Sequence, residues 1–404
     1  MYYGWKIVAA SFTILLVVVG IVYYSFPVFY PPLIDEFGWS RAQVTAGFFY
    51  SILIVGPIFG ISAGFLIDRH GTKRVLIAGL LAAGIAFLGF YFMHTLRAYY
   101  LFYLLQSVGY VSAGPIPNQV LISRWFNRMR GRAMGLAYVG IGIGGAAAPV
   151  LAQLLVRQFG WRAAMLAICG IIFLAILPLV LVVIKDRPSD LQLYPDGDSL
   201  TGTTEHPSNS ASTGIPLRSA IRTRSFWMIL VGSSLSIGAV GGIIQHLQLF
   251  LRDQGFSPEA AARVASFLLI SSIAGRLVMG FLADRFSKKH VMLAAFLFVG
   301  SAIPLLYLVH FPGVIYCFAF LFGFGMGGDY MLIPLVTARS FGVASLGRLM
   351  GVILTADAIG QAFAPVAVGR LFDLHRNYNW GFALLTAAAL TAALAATLIR
   401  TEET

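Results

Sequence analysis

"GFLIDRHGTKRV", residues 64–75, returns as "GFLADRFSKKHV" at residues 280–291, an offset of 216 positions. The same offset aligns "GRAMGLAYVGIGIGGAAAPV" (131–150) with "GRLMGVILTADAIGQAFAPV" (347–366), ten of whose twenty positions are identical. Two separate stretches sharing one offset indicate a duplicated unit. Working outward from them, the chain divides into apolar runs at 5–30, 43–66, 74–94, 98–120, 131–155, 160–184, 225–251, 262–282, 290–309, 313–336, 347–369 and 379–400. A bilayer core about 30 Å thick takes roughly 20 residues of helix, so each copy is expected to supply six membrane helices. The expected fold is all-α, with two pseudo-symmetric six-helix bundles at 1–185 and 225–404. A cytoplasmic linker over 186–224, rich in Ser, Thr, Pro, Gly and Asp, joins them and ends in a short basic amphipathic piece.

The bulk numbers agree. Of 404 residues, 58% are hydrophobic and 11% charged, with mean hydropathy +0.83, where a soluble chain carries about 25% charged residues. A net charge of +12 would suit nucleic acid were it not so unevenly spread. Assigning loops to alternate sides puts nineteen Lys and Arg on one face and eight on the other, with Arg276 alone inside a span. The basicity is therefore a topology signal. It predicts cytoplasmic termini, no nucleic-acid partner and, given the compact loops, a prokaryotic inner membrane. The first run follows Lys6 and lacks a cleavage site, so it is expected to be retained.

Enzyme chemistry has little footing. Cys169 and Cys317 lie in apolar runs and are expected to be buried packing residues, and the seven histidines show no ligand spacing, so no metal or cofactor is expected. Gly140, Gly142 and Gly145, and again Gly323, Gly325 and Gly328, match a dinucleotide fingerprint. Neither follows a strand, and small residues inside apolar helices allow close helix approach.

Gly-Phe-Leu-x-Asp-Arg between helices two and three, repeated between eight and nine, resembles the signature loop of the major facilitator superfamily. The resemblance implies a rocking transporter with a latch built from Gly64, Asp68, Arg69, Gly280, Asp284 and Arg285. In it, Asp68 and Asp284 meet helix ends and basic partners in one state and release them in another. "FPVFYPPLIDEFGWSRAQVTAGF", "WFNRMRGRAMGLAYVGIGIGG" and "IIQHLQLFLRDQGFSPEAAA" are similar to the monocarboxylate transporters and their relatives, the oxalate/formate antiporters. That likeness places Arg276 where those families hold a substrate arginine, and Tyr330 at an aromatic of the antiporter site. It also puts a histidine at His246. It departs elsewhere: Asp357 stands where the antiporters have a lysine, Val28 where the monocarboxylate transporters have one, and Ser272 where they have an acid.

Read from its chemistry, Arg276 offers a permanent charge and a fork of donors that fits a carboxylate; its structural alternative is an ion pair with a nearby acid. Asp357, in "LTADAIGQ", is expected to share that arginine and to take a proton when substrate displaces it, with Asp329 as a second proton site or a gate. Tyr330 and Asn118 are expected to line the substrate site with His246, although Asn118 and His246 equally suit helix packing. Tyr23, Tyr24, Tyr30 and Tyr138 are weaker candidates. The resulting expectation is a monomeric proton-coupled carrier of a small monocarboxylate such as lactate or pyruvate. An oxalate/formate-type exchanger is the alternative, and a drug or sugar facilitator and an anion sensor are more remote ones.

Overall fold

A computed structural model of the chain describes residues 2–39, 41–197 and 215–400. Among them the twelve expected spans are all helical: α1 (Gly4–Phe37), α2 (41–70), α3 (Thr72–Phe92), α4 (96–125), α5 (130–159), α6 (161–183), α7 (Arg224–Asp253), α8 (Pro258–Arg285), α9 (Lys288–Leu308), α10 (Val314–Phe341), α11 (Leu346–His375) and α12 (Asn379–Thr397). No strand occurs among the described residues. The residues 198–214 of the expected linker lie outside them, whereas its first part, through 197, forms two short 3₁₀ turns. The basic piece before α7 is a single turn, Leu217–Ala220.

Local chemistry explains where the rods start and break. Thr95, Thr223 and Ser257 each accept a backbone N–H three residues on, at Ala98, Phe226 and Ala260, satisfying donors that a helix start leaves open. α4 breaks at Gly114, whose successor Pro115 disfavours helical dihedrals in the residue before it. The Asn118 side chain then donates from Nδ2 to the carbonyls of Ala113 (3.1 Å) and Gly114 (2.7 Å). Gly160, at φ 80° and ψ 162°, separates α5 from α6, a conformation open to glycine because it has no Cβ. In α1 the stretch Leu16–Tyr24 is a π-helix, whose wider turn displaces carbonyls from the regular ladder. Gln106 of α4 takes one of them, donating to Val22 O at 2.5 Å.

The chain forms two compact units. The first comprises residues 1–127, 136–213 and 346–352, the second 128–135, 214–345 and 353–404. In the first, Phe26 stacks among Phe90, Tyr103, Tyr99 and Phe87, with ring centroids 4.6–6.4 Å apart. Trp161 and Arg162 at the start of α6 hold Glu36 at the end of α1, the indole Nε1 donating at 2.6 Å. A Cβ on Gly140 would stand 2.3 Å from Phe12 O, and one on Gly20 2.4 Å from Gly144 Cα, so α1 and α5 touch backbone to backbone.

The second unit has the same device between α8 and α10. Cβ atoms at Gly275, Gly323 and Gly327 would lie 2.1–2.2 Å from the carbonyl oxygens of Phe324, Leu268 and Ser272. Gly140 and Gly323, one from each dinucleotide-like match, are therefore packing surfaces. Cys169 is buried as expected, but Cys317 is exposed, on the face of α10 turned away from the core; both are free thiols.

Candidate functional site

Within the second unit, α8 and α10 set Arg276, Asp329 and Tyr330 at one depth of their shared seam. A Cβ on Gly327 would lie 3.0 Å from Arg276 N as well as 2.1 Å from Ser272 O, and Asp329 and Tyr330 follow two and three positions later. Arg276 is partly exposed and Asp329 fully buried. The Arg276 guanidinium donates from Nη1 to Ser272 Oγ at 2.8 Å, one helical turn back. Ser272 is neutral, so this bond orients the guanidinium and brings no countercharge of its own.

Asp357 is not where the sequence reading put it. Its Oδ1 accepts from Ser233 Oγ of α7 at 2.6 Å, and Oδ2, also buried, accepts no hydrogen bond among the described residues. The expected sharing with Arg276 is replaced by a serine. Asp329 is held alike: Ser236 donates to Oδ2 at 2.7 Å and Oδ1 is left without a partner. Ser233 and Ser236 are three residues apart and so share one face of α7, from which α7 grips a carboxylate on each of α10 and α11. Neither serine was picked out in the sequence, where a hydroxyl in an apolar helix commonly just bonds back to its own backbone.

The other candidates fall elsewhere. His246 bonds through Nε2 to Pro365 O at 2.9 Å and packs edge-on against Tyr378. It lies thirteen residues, about 20 Å, along α7 from Ser233, so it does not join the two acids. Asn118, in the first unit, is fully buried; its Nδ2 serves the break in α4, while its Oδ1 accepts no hydrogen bond among the described residues. Tyr138 is also buried there, its hydroxyl accepting from Gln119, Tyr30 meets Tyr103 at 3.4 Å, and Tyr24 is exposed. The side chain of Tyr23 lies outside the described residues.

The signature residues form two matching constellations. In the first unit a Cβ on Gly64 would lie 2.2 Å from Gly347 O, and Asp68 Oδ2 accepts from Arg348 Nε (2.8 Å) and Arg348 N (3.3 Å) at the start of α11. In the second, a Cβ on Gly280 would lie 2.6 Å from Gly131 O, while Asp284 accepts from Gly131 N (2.6 Å) and Arg132 N (2.9 Å) at the start of α5. Each aspartate thus sits on an open helix N-terminus, the favoured end for a negative charge. The basic partners in equivalent places of the repeat are Arg348 and Arg132, and Asp68 has a second one in Arg124 at 3.9 Å; Arg69 and Arg285 are exposed, and Arg285 lies over the Phe281 ring. Asp68 lies beyond the apolar run of α2. Burial pushes its carboxyl up, while the hydrogen bond and charge of Arg348 pull it down.

A duplicated six-helix unit with polar residues confined to a few buried positions defines a membrane transporter of the secondary type. The family model of the major facilitator superfamily matches residues 12–277 and 261–404, and the chain belongs to that superfamily: it is a multi-pass membrane transporter, not an enzyme. Among curated relatives, monocarboxylate transporter 12 of Rattus norvegicus is 24% identical over 95% of this chain and 82% of its own. Monocarboxylate transporter 13 of Bos taurus is 26% identical over 96% and 87%. The probable nitrate/nitrite transporter NarK2 of Mycobacterium tuberculosis is 27% identical over 84% and 83%. A crystal structure of the E. coli fucose:proton symporter FucP superposes with a TM-score of 0.71 at 16% identity, covering 98% of each chain; that likeness is one of fold.

Proposed function

We propose that the protein carries a small monocarboxylate of the lactate or pyruvate type together with a proton. The observation behind this reading is Arg276, a permanent cation in the middle of α8 oriented by a neutral serine. A charge at the centre of a membrane helix costs roughly 2.5–3.5 kcal/mol on insertion scales, and a bound carboxylate offsets it through two parallel hydrogen bonds. One cation suits a monoanion better than a dianion. Tyr330, at the same depth, supplies an apolar wall with a hydroxyl. The names of the monocarboxylate relatives support the substrate class, and those of the nitrate/nitrite relatives share its single negative charge.

Asp357 and Asp329 are the proposed proton sites. Each is buried with one serine donor, and an ionised carboxylate taken out of water without a cation is costly; binding a proton removes that charge. The proposed orientation has both termini in the cytoplasm of a cell with the carrier in its inner membrane, working as a monomer. His246 and Asn118 are assigned to the frame of the site.

Uptake of labelled L-lactate into proteoliposomes, with and without an inward proton gradient, tests the reading. Accumulation driven by the gradient and blocked by excess pyruvate or acetate is the expected result. Fast uptake only into vesicles preloaded with oxalate or formate would make the protein an exchanger. Indifference to every carboxylate would overturn the assignment of Arg276.

A further inference from the structure

Ser233 stands between two acceptors. Its Oγ is 2.6 Å from Asp357 Oδ1 and 3.2 Å from Leu230 O on its own helix, yet a hydroxyl carries a single proton to donate. Two arrangements leave no proton of the pair undonated, since Oδ2 has no partner to receive one. With Asp357 ionised, the hydroxyl donates to Oδ1 and leaves Leu230 O. With Asp357 neutral, the acid carries its proton on Oδ1 and donates it to Ser233 Oγ, and the hydroxyl turns to Leu230 O. One rotation about the Cβ–Oγ bond moves between them, and no heavy atom has to be displaced.

The surroundings allow little else. α7 and α11 are in backbone contact here: a Cβ on Gly360 would lie 2.3 Å from Ser234 O, and one on Gly238 3.0 Å from Gly360 O. Ser234 donates to Ala356 O at 2.7 Å, pinning α11 one residue before the acid. The ionisable group in electrostatic contact with Asp357 is Asp329 on α10, itself held by Ser236; α7 faces Asp357 with serines. Ser233 and Asp357 are buried, at 1% and 0% exposure, so water does not substitute for a missing partner at Oδ1.

We propose that Ser233 is a positioning residue for the proton step, a hydroxyl rotor that gives Asp357 Oδ1 a hydrogen-bond partner in both of its protonation states. The proposal rests on Asp357 being a proton site. It explains how a buried carboxyl can gain and lose a proton while the helices around it stay packed. A buried polar group left unpartnered in either state would make that state costly.

The test follows the proton itself, by infrared difference spectroscopy of the full-length protein in lipid during a pH titration. The carboxyl C=O band that vanishes in Asp357→Asn reports this acid. In Ser233→Ala the band is expected to change frequency, and its titration to shift by about one pH unit, the equivalent of ~1.4 kcal/mol. Ser233→Thr, which restores a hydroxyl, should return both towards wild type. In vesicles, Ser233→Ala should lose roughly tenfold of gradient-driven L-lactate uptake, in line with one hydrogen bond to a charged group, while lactate–lactate exchange persists. An unaltered band and titration in Ser233→Ala would overturn the rotor and leave Asp357 untouched. Equal damage in the Ala and Thr variants, to exchange as well as to uptake, would reduce Ser233 to a packing residue. The absence of any titrating band lost in Asp357→Asn would overturn the underlying proton site, and the rotor with it.

Discussion

Arg276 keeps its charge at any working pH, and its fork is what a lysine lacks. Arg276→Lys is expected to weaken monocarboxylate binding by roughly 10- to 100-fold, the ~1.5–3 kcal/mol of a hydrogen bond to a charged group; calorimetric titration or competition of lactate uptake measures it, and undiminished affinity would move the substrate away from α8. A lone arginine in an apolar run is anomalous enough to be legible in the sequence, as were Asp329 and Asp357. Their partners were not. Which acid meets which base depends on how helices are rotated about their axes, and Asp357 turned to a serine on α7 instead of to Arg276. The use of the Asn118 amide hydrogens on the carbonyls freed at Gly114 was not legible either, because a buried amide has the same chemistry whether it meets a ligand or a broken helix.

At the scale of the helix, the α8–α10 seam is decided by what is missing from it. Gly327→Ala would push a methyl group into Ser272 O at 2.1 Å, against backbone that has no room to retreat. The expected cost is about 1–3 kcal/mol, read as an earlier unfolding midpoint in detergent, with substrate affinity reduced because Arg276 leaves its register with α10. Gly170→Ala, where nothing lies within 4 Å of the added carbon, should be neutral or raise stability by up to about 1 kcal/mol through helix propensity. Equal losses in both variants would mean that steric contact is not what sets the seam. The helices themselves were legible because twenty apolar residues bounded by charges leave few other readings. The break at Gly114 was not, since Gly-Pro also occurs in unbroken membrane helices, and exposure of Cys317 followed from the facing of α10, which an all-round apolar helix does not encode.

Across the whole molecule, the 216-residue repeat is also a repeat of contacts. Gly64, Asp68, Gly347 and Arg348 are matched by Gly280, Asp284, Gly131 and Arg132, each set inside its own unit. Asp68→Asn and Asp284→Asn are each expected to lower stability by about 1 kcal/mol, as a charge-assisted bond at a helix start becomes a neutral one. Together they should add to within about 0.5 kcal/mol, as distant sites do, when unfolding midpoints of the single and double variants are compared. A strongly non-additive pair would mean that the constellations share one energetic event. The repeat was visible in the sequence, and so was the fact that Gly-Arg recurs at both 131 and 347; that these are the partners of the aspartates was hidden, because alignment shows which residues correspond and not which ones touch.

Asp68 and Arg348 are 280 positions apart, and this bears on how the protein is made. At about 5–20 residues per second, the ribosome needs roughly 14–56 s after releasing Asp68 before it has synthesised Arg348. Throughout that interval the first unit is in the membrane with its carboxylate waiting for a helix start that does not yet exist. The second unit waits for nothing of the kind, because Gly131 and Arg132 have long been in place when Asp284 emerges. Of the two constellations, the one whose aspartate is made first is therefore the last to close, and it closes only as the start of α11 leaves the ribosome.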